Sequence, residues 1–162
     1  MLGGRRSRPR FSRAGRPEVA TRRTRRRQAT VRDADRAFSL YVRTRDGRCL
    51  GCGSRDRLQC AHIQGRAYYG VRFDPENAVA LCSGCHVRWT HDPEGWREWV
   101  EENFPGRWGE IRTRQLAYEA RGARNDYARI VRHYTDQLNG LLHGASPASM
   151  IPSSQPGGGV DD

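Results

Sequence analysis

The fold is decided by residues 49–91, which read CLGCGSRDRLQCAHIQGRAYYGVRFDPENAVALCSGCHVRWTH. This stretch contains two Cys-x-x-Cys pairs separated by 29 residues. Two cysteines at this spacing place both thiolates on one tight turn, and two such turns supply the four sulfurs of a tetrahedral structural zinc site. The spacing therefore predicts one structural Zn²⁺ ion held by Cys49, Cys52, Cys82 and Cys85.

The cysteine content and the hydropathy pattern also indicate a compartment. Four of the five cysteines have metal-ligand spacing, which is typical of a reducing environment rather than of a disulfide framework. The fifth, Cys60, is predicted to be a small buried strand residue. Arg5-Arg6 is not followed by the apolar segment of an export signal, and no stretch approaches the ~18 apolar residues of a membrane span. We expect no membrane contact and a cytoplasmic protein.

Positive charge is concentrated at the N-terminus. Residues 1–30 contain eleven arginines and one acid, so they carry +10 of the chain's net charge of +11. A segment so rich in charge and so poor in aliphatic residues cannot bury enough apolar surface to offset its ordering entropy. We predict that it is a disordered basic arm that neutralises DNA phosphates without reading sequence.

The middle of the chain is predicted to fold as strand, loop, strand and helix. Leu58–Ile63 and Ala78–Leu81 are short, partly apolar runs without Gly or Pro, as in strands. Between them, Gln64–Glu76 contains two glycines and a proline and is predicted to be a loop. A helix is expected to open at His86. This is the order of a ββα unit.

Helices are predicted on both sides of this unit. Thr30 and Asp33 form a capping pair for a helix over residues 31–45. Further helices are predicted from Pro93, with Trp96 and Trp99 in the core, and then over residues 109–121 and 127–141. The predicted fold class is α+β, with four parts: a disordered arm at 1–30, a zinc-stabilised ββα domain with flanking helices at 31–108, C-terminal helices at 109–143 and a flexible tail at 144–162.

The segments LQCAHI (58–63) and DPENAVALCSGCH (74–86) resemble the HNH endonuclease family, particularly its small phage-type members. The three name-giving positions of the family fall on His62, Asn77 and His86. The resemblance implies a ββα-metal core in which His62 is the general base. It also implies that Asn77 braces the loop and orients that base, while His86 binds a catalytic divalent metal, Mg²⁺ or Mn²⁺.

The chemistry of phosphodiester hydrolysis asks for the same residue types. The reaction needs an activated water, a base with a pKa near neutrality and a cation that takes up charge on the phosphate and the leaving oxygen. Histidine has the pKa of such a base. A neutral imidazole also ligates metals, so His86 can serve the second task.

Two positions depart from the family pattern. Many HNH enzymes place a metal ligand directly before the base, where this chain has Ala61. Another ligand often lies four residues after the last histidine, where this chain has Thr90. His91 lies five residues after His86, about 140° away on a regular helix, and reaches a metal only if the helix ends there. Further oxygen ligands are then expected from Asp74 or Asp92.

Two arginines lie in the loop over the expected site. Arg66 follows the base by four residues and Arg72 by ten. Guanidinium groups bind phosphate through paired hydrogen bonds, so both are candidate substrate-binding residues. DNA is therefore the expected partner, contacted by the basic arm and by the active-site loop.

The leading interpretation is a metal-dependent HNH DNA endonuclease or nickase encoded by a phage or mobile element. If a phage encodes it, we expect it in the cytoplasm of a bacterial host cell. One alternative is a zinc-stabilised DNA-binding or packaging accessory module that does not cleave, and Ala61 favours it. Another is a junction-selective recombination nuclease. Phage packaging or recombination proteins are then the expected protein partners, and the sequence leaves the oligomeric state open.

Overall fold

The structure, a computed structural model, describes residues 28–144. Most of the predicted basic arm, 1–27, and all but the first residue of the predicted tail, 145–162, lie outside the described residues. The described part confirms the α+β class, with five α-helices and one sheet of two strands. The elements in chain order are α1 (Val31–Asp46), β1 (Leu58–His62), a 3-10 turn (Pro75–Asn77), β2 (Ala78–Cys82), α2 (Ser83–His91), α3 (Pro93–Asn103), α4 (Arg107–Ala120) and α5 (Tyr127–Leu142).

Helix α1 begins and ends where its local sequence directs. The Thr30 hydroxyl accepts a hydrogen bond from the Asp33 backbone N–H, and the Asp33 carboxylate accepts one from the Thr30 backbone, which completes a capping box. The helix stops at Gly47, whose φ of 63° is the left-handed conformation that favours glycine. Its buried face consists of Ala34, Phe38 and Val42. The predicted capping pair and helix are therefore confirmed.

Strands β1 and β2 pair antiparallel, and their register sets the positions of His62 and Asn77. Cys60 lies opposite Ala80, and His62, the last residue of β1, lies opposite Ala78. Four of the five β2 residues are buried. His62 therefore lies at the end of the sheet, next to the turn that contains Asn77. Both predicted strands are confirmed, although β1 ends one residue earlier and β2 one residue later than predicted.

Helix α2 begins earlier than the predicted start at His86. Cys82 is its N-cap, and the Cys82 sulfur accepts a hydrogen bond from the Cys85 backbone N–H. The prediction was wrong because it treated the second cysteine pair as a turn in front of the helix. A cysteine side chain can instead cap the helix itself, so Cys85 and His86 both lie in its first turn.

One hydrophobic cluster lies between the sheet and helices α2, α3 and α4. Its aromatic centre is formed by Trp89, Trp96 and Trp99, with ring centroids 4.8 to 5.3 Å apart. Val100 and Ile111 are fully buried beside them. The predicted core role of Trp96 and Trp99 is thereby confirmed, and their packing fixes α2 against the sheet.

A second cluster joins α1 and α5 to the other side of the sheet. Phe38 of α1 packs against Tyr134 of α5, with ring centroids 4.9 Å apart. At the end of α1 the Asp46 carboxylate accepts a hydrogen bond of 2.7 Å from the Ala80 backbone N–H. The Arg45 guanidinium donates to the carbonyl oxygens of Pro75 and Ala78. These contacts hold the end of α1 against β2 and the 3-10 turn before it. No helix within residues 28–144 combines the length and the apolar character that crossing a bilayer requires.

Candidate functional site

The four paired cysteines converge into one cluster, as their spacing predicts. Their sulfur atoms all lie within 4.8 Å of one another, and the sulfurs of Cys52 and Cys82 are 3.7 Å apart. Zinc–sulfur bonds of about 2.3 Å in a tetrahedron separate the sulfurs by roughly 3.8 Å. The cluster, which consists of Cys49, Cys52, Cys82 and Cys85, therefore has the donor set and the size to hold a structural metal such as zinc.

Backbone hydrogen bonds shape the first cysteine turn. The Cys49 N–H donates to the Ser54 carbonyl at 2.7 Å, and the Gly53 N–H donates to the Cys49 carbonyl at 2.8 Å. Gly51 packs so closely on Trp89 that an added Cβ would lie 2.5 Å from the indole ring. The Leu50 N–H joins the turn to β2 through the Ala80 carbonyl. The first turn is thus held against α2 and the sheet.

The second cysteine turn belongs to the start of α2. The hydrogen bond from the Cys85 backbone N–H lowers the pKa of the Cys82 thiol to about 7. Stabilisation of a thiolate by a backbone donor at a helix N-terminus favours metal binding, because the thiolate is the ligand form. The geometry of α2 therefore prepares one sulfur of the cluster for a cation.

His62 is held by a backbone carbonyl. Its Nε2 lies 2.9 Å from the carbonyl oxygen of Arg72. A carbonyl only accepts, so Nε2 must donate its proton and the lone pair of neutral His62 lies on Nδ1. Burial lowers the pKa of His62 below 6.5, and the positive charge of Arg66 adds to the effect, whereas the Arg72 carbonyl opposes it. At neutral pH, His62 is an unprotonated imidazole with a defined tautomer.

His86 has the opposite tautomer. Its Nδ1 lies 2.6 Å from the side-chain oxygen of Gln59 on β1. Because the amide oxygen accepts, Nδ1 carries the proton and Nε2 has the free lone pair. Burial and the charge of Arg66 lower the pKa of His86. A second residue that fixes the tautomer of an imidazole is the usual support for a metal-binding histidine. The sequence gives no signal for this role of Gln59.

Asn77 is fully buried and binds the loop from both ends. Its side-chain oxygen accepts from the Gln64 N–H at 2.7 Å, and its amide nitrogen donates to the carbonyls of Gln64 and Val71, both at 2.9 Å. Asn77 does not bond His62. It fixes residues 64–71, and the Arg72 carbonyl that holds the His62 ring follows directly. Its link to His62 is therefore indirect.

The two loop arginines have different surroundings. The Arg72 guanidinium donates to both carboxylate oxygens of Asp35 on α1, at 2.9 and 2.7 Å, and to the Arg66 carbonyl at 2.8 Å. Its side chain is only 13% exposed. The Arg66 side chain is exposed and lines the cleft in front of both histidines. Arg66 is thus open to a ligand, whereas Arg72 fastens the loop to α1.

The candidate ligands around His86 do not converge. Helix α2 continues to His91, which is exposed, so the helix does not end early enough to turn that side chain inward. Asp92 instead caps α3, and Asp74 pairs with Arg114. Within residues 28–144 the cysteine cluster is the only place where three or more His, Cys, Asp or Glu side chains could share an ion. Of the candidates for a catalytic metal, only His86 presents a free nitrogen to the cleft.

The two histidines share an open cleft of about 570 Å³. One wall is α1, the other is β1 with the start of the loop at Gly65 and Arg66. Ala61 and Thr90 line a smaller cavity of about 170 Å³ beside the same histidines. Cys60 also lines the main cleft; it is half-buried, and burial raises its pKa to about 12, so it stays a thiol.

Comparisons of the chain with protein-family models, curated proteins and solved structures found no match.

Proposed function

We propose that the chain is a metal-dependent DNA endonuclease or nickase of the ββα-metal type, which hydrolyses phosphodiester bonds in the cleft between α1 and β1. One observation carries the proposal. His62 and His86 line the same cleft with opposite tautomers, so a proton-accepting Nδ1 and a metal-binding Nε2 are both free. A hydrolase that deprotonates water beside a cation needs these two functions together.

His62 is the general base in this proposal. Its lowered pKa keeps Nδ1 unprotonated at neutral pH, so it can take a proton from the attacking water. The Arg72 carbonyl then accepts from the imidazolium that forms, which stabilises the positive ring and holds its orientation. Asn77 is a positioning residue, because its three hydrogen bonds fix the loop that presents this carbonyl.

His86 is the proposed ligand for the catalytic ion. Mg²⁺ and Mn²⁺ often keep several waters and complete their coordination with substrate phosphates, so one protein nitrogen fits a weakly held ion. When bound, such an ion supplies positive charge for the phosphate and the leaving oxygen. Gln59 would orient His86 for this task, and Arg66 would bind a phosphate oxygen through its exposed guanidinium.

The proposed metal of the cysteine cluster is Zn²⁺. Four thiolates in tetrahedral arrangement are the donor set of structural zinc rather than of a catalytic site, which keeps a position open. The cluster joins the turn before β1 to the first turn of α2. Zinc there would hold His86 on α2 in place opposite Gln59 on β1.

A plasmid-nicking assay tests the proposal. Purified protein is incubated with supercoiled plasmid and Mg²⁺ or Mn²⁺, and then with EDTA in excess over the divalent ion. We expect nicked or linear product with the metal and none with EDTA. Absence of product from the plasmid and from a branched oligonucleotide with every divalent ion, by protein that holds its zinc and binds both DNAs, would contradict the nuclease.

A second function is favoured by one specific observation. Ala61 and Thr90 occupy the cavity beside His86, where additional metal ligands would lie. A single histidine is a minimal metal site, so the fold would also suit a zinc-stabilised DNA-binding module that does not cleave. Such a module would bind the plasmid and leave it supercoiled, so the same assay separates the two functions.

A further inference from the structure

The side of the cleft that faces the two histidines is made by α1, which lies outside the ββα unit. Arg36, Ser39 and Arg43 line this wall. On a regular helix, residues seven apart differ by about 20° in direction and by about 10 Å along the axis. Arg36 and Arg43 therefore lie on one face of α1, along the length of the cleft.

These arginines are not neutralised by the described part of the chain. Arg36 is exposed and has no acidic partner within residues 28–144. Arg43 uses one nitrogen, Nε, to donate to the Ser39 carbonyl at 3.1 Å, which leaves the rest of its guanidinium open. The one acid in the cleft wall, Asp35, is paired with Arg72. With Arg66 opposite, the cleft presents three cations and no unpaired acid.

The spacing and size of the cleft fit one polynucleotide strand. Arg36 and Arg43, about 10 Å apart along α1, can each contact one phosphate of the same strand. A volume of about 570 Å³ is that of a small-molecule site, which takes a nucleotide or two. One strand, rather than both strands of a duplex together, is the size that this volume holds.

Two exposed aromatic side chains follow the cleft-lining residues Gly65 and Arg66 in the loop. Tyr68 and Tyr69 follow Arg66, and their side chains are 48% and 51% exposed. The Tyr68 N–H donates to the carbonyl of Gly65, a cleft-lining residue, at 3.0 Å. The ring of Tyr69 lies 5.7 Å from the Arg72 guanidinium, which is bound to Asp35 of α1. Basic grooves with exposed aromatics are the means by which proteins bind unpaired strands.

We propose that the cleft between α1 and the loop is a binding groove for an unpaired DNA strand, with Arg36 and Arg43 on its phosphates and Tyr68 and Tyr69 on its bases. The inference rests on the proposed function in taking DNA as the polymer and the cleft as its site. It adds the form of the substrate: a single-stranded, frayed or branched region rather than an uninterrupted duplex.

Fluorescence anisotropy with the full-length protein tests the arginine wall. The probes are a labelled 12-nucleotide oligo(dT) and a 12-base-pair duplex, titrated at several salt concentrations without added divalent metal. The measured quantity is the salt slope, the steepness with which the logarithm of the binding constant falls with the logarithm of the salt concentration. Arg36→Gln/Arg43→Gln should reduce this slope for oligo(dT) by about 1.4, which is about 0.7 for each of two phosphate contacts. Arg112→Gln/Arg132→Gln removes the same charge from exposed positions outside the cleft and should leave the slope unchanged. Equal slopes for the two variants would overturn the proposal.

The tyrosines are tested with the same probes. Tyr68→Ala/Tyr69→Ala should weaken oligo(dT) binding about tenfold or more and duplex binding much less, since stacking needs unpaired bases. Tyr68→Phe/Tyr69→Phe keeps both rings and should bind as the wild type does. Unchanged oligo(dT) affinity in the alanine variant, or a greater loss for the duplex, would overturn the proposal, as would tighter binding of oligo(U) than of oligo(dT). Because no cleavage is measured, a protein that passes these tests but never cuts DNA would refute the nuclease and leave the groove standing.

Discussion

The Nε2 atom of His62 lies 2.9 Å from the carbonyl oxygen of Arg72, at the far end of the loop that follows β1. This hydrogen bond fixes the His62 tautomer and couples the ring to everything that fixes the loop. Asn77 binds the loop at Gln64 and Val71, and the Arg72 guanidinium binds α1 through Asp35. The orientation of one imidazole therefore depends on three segments of the chain.

The tautomer and the pKa of His62 can be measured by NMR. Nitrogen-15 shifts of neutral His62 should show the proton on Nε2, and the titration midpoint should lie below 6.5. Arg66→Gln should raise the midpoint, because the Arg66 charge disfavours the imidazolium. Since the folded-state pKa is below the unfolded value, His62 stabilises the fold above pH 6.5 and this contribution is lost as the pH falls below it. A midpoint above 6.5, or a proton on Nδ1, would refute this assignment.

The cysteine cluster should bind one metal ion per chain and hold the sheet to α2. Cys82→Ser removes a metal ligand but keeps a good N-cap for α2, because a serine hydroxyl accepts the same backbone hydrogen bond. Loss of zinc and of helical circular dichroism together is therefore expected from the metal alone. Cys60→Ala is the matched control, because Cys60 lies outside the cluster and should leave the zinc content unchanged. Wild-type protein without metal but with full thermal stability would contradict the structural role.

Asn77 should matter to stability as well as to activity. Asn77→Ala removes three buried hydrogen bonds and leaves their backbone partners unsatisfied, which we expect to cost roughly 3 kcal/mol of unfolding free energy in a urea titration. Asn103→Ala, which removes one exposed hydrogen bond on α3, should change it by about 0.5 kcal/mol or less. Similar values for the two variants would mean that Asn77 does not brace the loop.

Thr90→His should strengthen the proposed metal site at His86. Position 90 lies four residues after His86 on the same face of α2, and both line the small cavity. A second imidazole there should lower the Mn²⁺ concentration for half-maximal binding by roughly tenfold, ~1.4 kcal/mol. Arg88→His introduces the same residue about 200° away from His86 and should have no effect. An equal response from both variants would place the ion elsewhere.

Structural features that depend on residues close together in sequence could be predicted, whereas most of those that depend on contacts between distant segments could not. The Thr30 capping pair and both strands follow from local sequence. The four cysteines converge across 29 residues, but their paired spacing indicates a shared metal and so made the contact predictable. The Asp35–Arg72 pair joins residues 37 apart, so neither the occupied guanidinium of Arg72 nor the arginine wall of α1 leaves a signal in the chain. The early start of α2 was missed because a cysteine at a metal site can also cap a helix.

The central claim is that His62 acts on the reacting water while His86 acts through a metal. The most direct test is single-turnover DNA cleavage by His62→Ala and His86→Ala across a Mn²⁺ series, with His143→Ala as a control at an exposed position outside the cleft. We predict that His62→Ala keeps zinc and DNA binding but cleaves at least ~10²-fold more slowly at every Mn²⁺ concentration. His86→Ala should recover part of its rate as Mn²⁺ rises. Cleavage by His62→Ala at the wild-type rate, or its rescue by Mn²⁺, would contradict the account.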